Sequence, residues 1–263
     1  MVHTSTGLSF LDRWQLSADL MGIQPEAYNP EARVIKDKSG KNEFTFGAIL
    51  NVYRDSRPSD PSQNKANCPL CGAVENAISQ EGVVLDTISS DFIVTPNKFP
   101  AMEGHSMAIT VGTARSEIPM YTTRNLDSLA EQMSKVFRYA QMEGLEAFHN
   151  SQGAGASIPN HEHWHLTNWS DTYRRAGEVY GFAAAKLKAT SAGDKGKIPS
   201  FPFAHLVFTQ PDTEGIVSFL KNLEREIGPN YDIGTVPHII AQRPGMILVA
   251  PYKVAVAKGS IGS

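Results

Sequence analysis

The chain is poor in cysteine, in excess charge and in long apolar runs, and each shortage closes off a class of protein. Two cysteines in 263 residues rule out a disulfide scaffold. Lys+Arg 24 against Asp+Glu 27 leaves a net charge of −3, without the basic excess that a generic polyanion binder carries. Nucleic acid is therefore not an expected partner, although a local basic pocket for a small phosphate ligand stays open. No apolar run reaches the length of a membrane span. Near the start, Asp12, Arg13, Gln15 and Asp19 interrupt the apolar residues, so 8–23 reads as an amphipathic helix and not an export signal. A cytoplasmic protein without a membrane partner is the expectation. Hydrophobic content of 41% is enough for a packed core.

Several segments carry a period. Residues 43–53 and 203–209 read as strands, 91–95 and 105–111 as a hairpin, and 236–242 and 245–257 as a final strand pair. Apolar residues three or four apart over 124–148, from Leu126 to Phe148, predict a long helix. Further helices are expected over 173–189 and 214–227. The polar stretch 190–200 reads as a boundary. The expected organisation is an N-terminal helix and strand/loop extension (1–66), a catalytic part (67–189) and a second part (190–263). Both parts share a loose strand–helix–strand order.

The most informative segment is 153–169, which holds His161, His163 and His165 at alternate positions behind a small-residue loop. On a strand these imidazoles share one face, with Glu162, Trp164 and Leu166 on the other. Aligned imidazoles can bind metal, or one of them can attack phosphorus and hold a covalent intermediate. Gly153, Gly155 and Ser157 let backbone N–H groups approach phosphate oxygens. A cupin-type metal enzyme is a weaker alternative. The glutamate that its first motif needs is missing at Thr167 and Asn168, and a helix precedes the histidines where a cupin has β-structure.

This loop followed by H-x-H-x-H resembles the histidine-triad (HIT) superfamily, in the branch of galactose-1-phosphate uridylyltransferase and the dinucleoside tetraphosphate (Ap4A) phosphorylases. Other segments agree in order. Arg54-Asp-Ser-Arg57-Pro58 is similar to a phosphate-proximal R-x-x-R-P. Cys68-Pro-Leu-Cys71 is similar to a zinc half-site, and Asn97-Lys98-Phe-Pro to a nucleotide-contact loop. Asn150 stands ahead of the small-residue loop. The resemblance implies an α+β, HIT-like fold, an antiparallel sheet with packed helices, built as two HIT-like halves in one chain. It implies a nucleotidyltransferase or phosphorylase (EC 2.7.7 class) acting on a nucleoside polyphosphate or nucleotide sugar, with phosphate or a sugar phosphate as acceptor. His163 is then the nucleophile, His161 its orienting neighbour and His165 the third member. Arg54, Arg57, Asn97, Lys98, Asn150, Gly155 and Ser157 bind substrate. Cys68, Cys71 and His161 are implied ligands of a structural zinc, with no organic cofactor. The branch contains both homodimers and pseudo-dimeric single chains.

Three departures stand out. The third position, Gln in most of the branch, is His165, which keeps a HIT-type hydrolase (phosphoramidase or dinucleoside polyphosphate hydrolase) as the alternative. Ser157 lies four residues before His161 rather than three. No histidine follows the hairpin where another zinc ligand is expected, so the site is either incomplete or borrows His105 or His149.

Overall fold

The computed structural model describes residues 7–24, 31–36, 45–50, 68–111, 126–151, 154, 158, 161–168, 195–196, 206–208, 212–227, 238–243 and 246–251. Its helices are α1 (Phe10–Leu20), α2 (Pro69–Ser79), α3 (Leu126–Met142) and α4 (Thr213–Ile227). Its strands are β1 (Glu31–Lys36), β2 (Thr45–Leu50), β3 (Asp86–Ile88), β4 (Phe92–Pro96), β5 (Ser106–Thr110), β6 (Glu146–Asn150), β7 (His163–Thr167), β8 (Lys195–Gly196), β9 (Leu206–Phe208), β10 (His238–Arg243) and β11 (Met246–Pro251). β1 and β2 pair with each other. The other nine form one antiparallel sheet in the order β3-β4-β5-β7-β6-β10-β11-β9-β8.

The order is nearly palindromic about the β6–β10 pair. The run β5–α3–β6–β7 and the run β9–α4–β10–β11 trace the same path outward from that seam, and α3 packs on α4. This is the α+β architecture of two similar halves that the sequence resemblance implies. An open sheet backed by helices also excludes the cupin alternative, which needs a β-barrel.

Register assigns the faces. One face carries Phe92, Val94, Ala108, Trp164, Leu166, Ala147, Ile240 and Val249, and joins the apolar sides of α1, α3 and α4 in the main core. On the opposite face, Ile93, Met107 and Ile109 pack under Leu70, Val74 and Ala77 of α2. The histidine strand β7 is paired between β5 and β6, so its front face lies beside the α2-covered part of the sheet.

Local chemistry explains the helix ends. Ser9 and Asp12 form a capping box at α1: the Asp12 amide donates to Ser9 Oγ at 3.2 Å and the Ser9 amide donates to the Asp12 carboxylate at 3.1 Å. Cys68 is the N-cap of α2 and Pro69 its first residue. The helix expected over 124–148 stops at Met142. Gly144 has φ +68°, a left-handed stop, and the Leu145 amide turns back to donate to the Ala140 carbonyl at 2.7 Å. Residues 146–150 are therefore strand β6 and not the last turn of a helix. The helix expected over 173–189 lies outside the described residues.

One polar residue sits inside the helix layer. Glu224 of α4 is buried, and neither carboxylate oxygen has a hydrogen-bond partner among the described residues. Burial pushes its pKa up to about 7. The folded state then holds a proton that the unfolded chain gives up near pH 4.3, so stability falls as pH rises from about 4 to 7. Glu224→Met is expected to stabilise the protein by about 1–3 kcal/mol at pH 8 and by little near pH 4, read from thermal melts at the two pH values.

Candidate active site

His163 and His165 project from the front of β7. Their cross-strand partners are Ile109 and Met107 of β5, and Phe148 of β6 stands opposite His165. The Phe148 and His165 rings stack with centroids 4.5 Å apart and planes 10° apart. The His163 and His165 rings meet edge-on at 5.2 Å. Trp164 points the other way, fully buried, edge-on to Phe137 of α3 at 5.5 Å. The alternation expected from the sequence holds for His163, Trp164 and His165, whereas His161 lies ahead of the strand and turns its ring to Cys68 and Cys71.

Each imidazole has a defined hydrogen. His163 Nδ1 lies 2.8 Å from the His161 carbonyl oxygen. A carbonyl only accepts, so Nδ1 carries the hydrogen and Nε2 keeps its lone pair. His161 Nε2 lies 3.0 Å from the Thr110 carbonyl, so its hydrogen is on Nε2 and its lone pair is on Nδ1. That lone pair faces Cys68 Sγ at 3.4 Å and Cys71 Sγ at 3.3 Å.

Cys68, Cys71 and His161 form a group that can hold a metal ion, with ligand atoms all within 4.8 Å of one another. Tetrahedral zinc with Zn–S near 2.3 Å and Zn–N near 2.0 Å places sulfur and nitrogen ligands about 3.5 Å apart, close to the separations seen here. The donor set and the free valence of His161 Nδ1 fit a thiolate/imidazole metal. Burial raises the Cys68 thiol, but the adjacent His161 ring and the Cys71 amide that donates to its sulfur bring the pKa down to about 7. His105 and His149 are not in the group. His105 spends its ring nitrogens on Ala101 and His165, and His149 lies on the back face against Trp164, centroids 4.7 Å apart. Burial, then the His163 and His238 charges, hold the His149 pKa well below its ordinary value. Glu162 is pushed up to about 7, mainly by burial.

The other expected residues divide by position. Asn150 ends β6 two residues beyond Phe148, on the same face. Next to it, the Ser151 amide donates to the His238 carbonyl at 2.9 Å, and Ser151 Oγ accepts from the His238 amide at 2.7 Å. The Ala154 amide donates to the Ser151 carbonyl at 2.9 Å, which starts the small-residue loop from a fixed anchor on β10. Asn97 is buried within its turn: Oδ1 accepts the Phe99 amide at 2.9 Å and Nδ2 lies 3.2 Å from His105 Nε2. Lys98 is on the exposed side of that turn, its Nζ 5.9 Å from the centre of the Phe99 ring. Arg54, Arg57, Gly155 and Ser157 lie outside the described residues.

Two site residues escaped the sequence reading. Helical spacing puts Phe148 at the end of a helix, and Gly144 is the signal against that. The sequence offers His105 only as a zinc ligand; its place beside His165 comes from the non-local pairing of β5, which follows it, with the histidine strand.

Comparison with solved structures matches this arrangement of strands and helices to yeast Ap4A phosphorylase Apa2. The AMP complex gives a TM-score of 0.54 at 14% identity, covering 93% of this chain and 80% of that one. The Ap4A complex gives 0.52 at 15% identity, covering 95% and 81%. This chain has the Ap4A phosphorylase fold. At such identities the likeness to Apa2 is one of fold. No family model matches the chain, and no curated protein matches it by sequence. No helix among the described residues is long and apolar enough to cross a membrane.

Proposed function

We propose that the protein is a nucleotide phosphorylase or nucleotidyltransferase working through a covalent nucleotidyl-histidine on His163. The observation that carries this reading is the hydrogen bond from His163 Nδ1 to the His161 carbonyl, which presents Nε2 as the nucleophile. The Ap4A phosphorylase fold supports it, because Apa2 was solved with AMP and with Ap4A.

In the first step Nε2 forms a bond to the α-phosphorus of a nucleoside polyphosphate or nucleotide sugar. The bridging P–O bond breaks and its electrons leave with the phosphorylated leaving group. The ring, now bonded at Nε2 and protonated at Nδ1, is positively charged, and the His161 carbonyl stabilises it. In the second step an oxygen of inorganic phosphate or a sugar phosphate attacks the same phosphorus. The P–N bond breaks, and its electrons return to Nε2. Arg54, Arg57, Lys98, Asn150 and the Gly155–Ser157 loop are the residues we assign to the phosphates and the nucleotide.

We assign the Cys68–Cys71–His161 group to a structural zinc. When bound, it supplies a fixed anchor for His161, whose carbonyl positions the nucleophile. As purified, the protein is expected to carry about one equivalent of zinc, and Cys68→Ser less than about half, measured by elemental analysis after chelation. Full-occupancy zinc in Cys68→Ser removes the assignment.

Product analysis tests the reaction. Ap4A is incubated with and without inorganic phosphate. Nucleoside diphosphate formed only with phosphate supports the phosphorylase. Monophosphate formed without it shows the HIT-type hydrolase instead.

A further inference from the structure

The hydrogens around His165 follow from one backbone amide. The Ala101 N–H lies 2.8 Å from His105 Nδ1. An amide nitrogen only donates, so His105 Nδ1 must hold a lone pair, and the neutral ring carries its hydrogen on Nε2. That Nε2 lies 3.0 Å from His165 Nδ1. His165 Nδ1 therefore accepts, and the hydrogen of His165 sits on Nε2, the nitrogen remote from His105. Asn97 does not reverse this order. Its Oδ1 is occupied by the Phe99 amide, so Nδ2 can only donate; a neutral imidazole accepts at one nitrogen, the shorter Ala101 contact takes that lone pair at Nδ1, and Nδ2, 3.2 Å from Nε2, makes no hydrogen bond there. The series runs one way, from amide to imidazole to imidazole.

His105 is buried, and its carbonyl is held as well. It accepts from the Asn97 amide at 2.9 Å and from Trp14 Nε1 at 3.1 Å. Among the described residues, the titratable groups brought against His165 are His105, beside β5, and His163, on its own strand. Phe148 of β6 covers one face of its ring.

We propose that His105 is a positioning residue that locks His165 as a neutral Nε2–H donor, so that His165 gives a hydrogen bond to a phosphoryl oxygen and does not shuttle a proton. This rests on the nucleotidyl-transfer reading above. To act as an acid, His165 would lose its Nε2 hydrogen and need another on Nδ1. That hydrogen would have to come from His105 Nε2, and the Ala101 amide blocks replacement at His105 Nδ1, which would leave an imidazolate. To act as a base, His165 would need a lone pair that its Nε2 does not have. The third member of the trio thus behaves as a side-chain amide would. Transfer tolerates this, because a phosphorylated leaving group departs as a weak base without an acid.

Two measurements on the full chain test the lock. Long-range ¹H–¹⁵N spectra of the imidazoles, recorded from about pH 5.5 to 8, are expected to show His165 as a single Nε2–H tautomer that does not titrate. In His105→Phe, which keeps a ring and removes the donor, His165 is expected to titrate near its ordinary value of about 6.5. Titration of His165 in the wild type, or its hydrogen on Nδ1, overturns the proposal. This arm needs no turnover, so it decides even where no nucleotidyl-histidine forms, and the wild-type spectrum decides even where His105→Phe does not fold. The second arm compares His165→Gln with the wild type on Ap4A plus inorganic phosphate. A loss of about tenfold in kcat with the pH profile keeping its wild-type shape is expected, whereas a general acid would show a loss of about 10²–10⁴-fold and a vanished ionisation. A loss of that size with a vanished ionisation also overturns the proposal.

Discussion

His163→Ala is expected to lose at least about 10⁴-fold in kcat while keeping its circular dichroism spectrum and a cooperative melt. The size follows from the kind of role. A hydrogen-bond donor removed from a site leaves other donors working, but a nucleophile that forms the covalent bond has no substitute among the described residues. His161 turns its lone pair toward two thiols, and the hydrogen-bond series leaves His165 Nε2 carrying a hydrogen. His163 is the one member of the trio whose Nε2 lone pair is fixed by its own backbone, through the His161 carbonyl. Stability is expected to change by only about 1 kcal/mol, because the aromatic anchor of this strand is Trp164, on the other face. His163→Gly with added imidazole sharpens the test. Free imidazole can occupy the vacated space and accept the nucleotidyl group, so turnover returns and nucleotidyl-imidazole accumulates. Near wild-type turnover in His163→Ala, or no adduct on the wild type in quenched reactions, removes the mechanism.

What the sequence revealed and what it hid divide by the range of the interactions. The face shared by the histidines was legible because strand alternation is a local rule, and His163, Trp164 and His165 obey it. The capping residues Ser9 and Cys68 and the N1 proline at position 69 are local signals too, although the metal spacing around Cys68 masks the helix start that the same residues encode. Helical spacing runs on for six residues past Met142 because Leu145 and Phe148 continue it, although Leu145 follows the glycine turn and Phe148 belongs to strand β6. There, periodicity and the glycine at position 144 disagree, and the left-handed stop wins. The β6–β10 seam that joins the two halves was not legible. It pairs Phe148 with Ala241, residues far apart in sequence, and no short pattern encodes that choice. The same holds for His105. Its contact with His165 depends on β5 lying beside β7, and the deciding partner is a backbone amide that no side-chain pattern advertises.

Trp14→Ala is expected to cost about 3–5 kcal/mol, read from denaturant midpoints, and to lower activity beyond what the loss of folded protein explains. Trp14 is fully buried in the main core between α1 and the sheet, so truncation leaves a cavity the size of an indole. The second effect comes from its polar end. Indole Nε1 donates to the His105 carbonyl, and one residue earlier Gly104 takes φ +78° with Leu11 so near that a Cβ there would lie 2.8 Å from its Cδ2. Ser17 of the same helix donates to the Val83 carbonyl at 2.8 Å, and Arg13 pairs with Glu143 at 2.6 Å. The helix therefore clamps the turn that carries His105, and through it the hydrogen held by His165. Trp14→Phe separates the two effects. It keeps most of the buried volume and loses the donor, so a smaller stability cost of about 1–2 kcal/mol is expected, with the His105 carbonyl left one partner short. A Trp14→Phe protein with wild-type stability and kcat would show that α1 is only a lid on the core and plays no part in ordering the histidines.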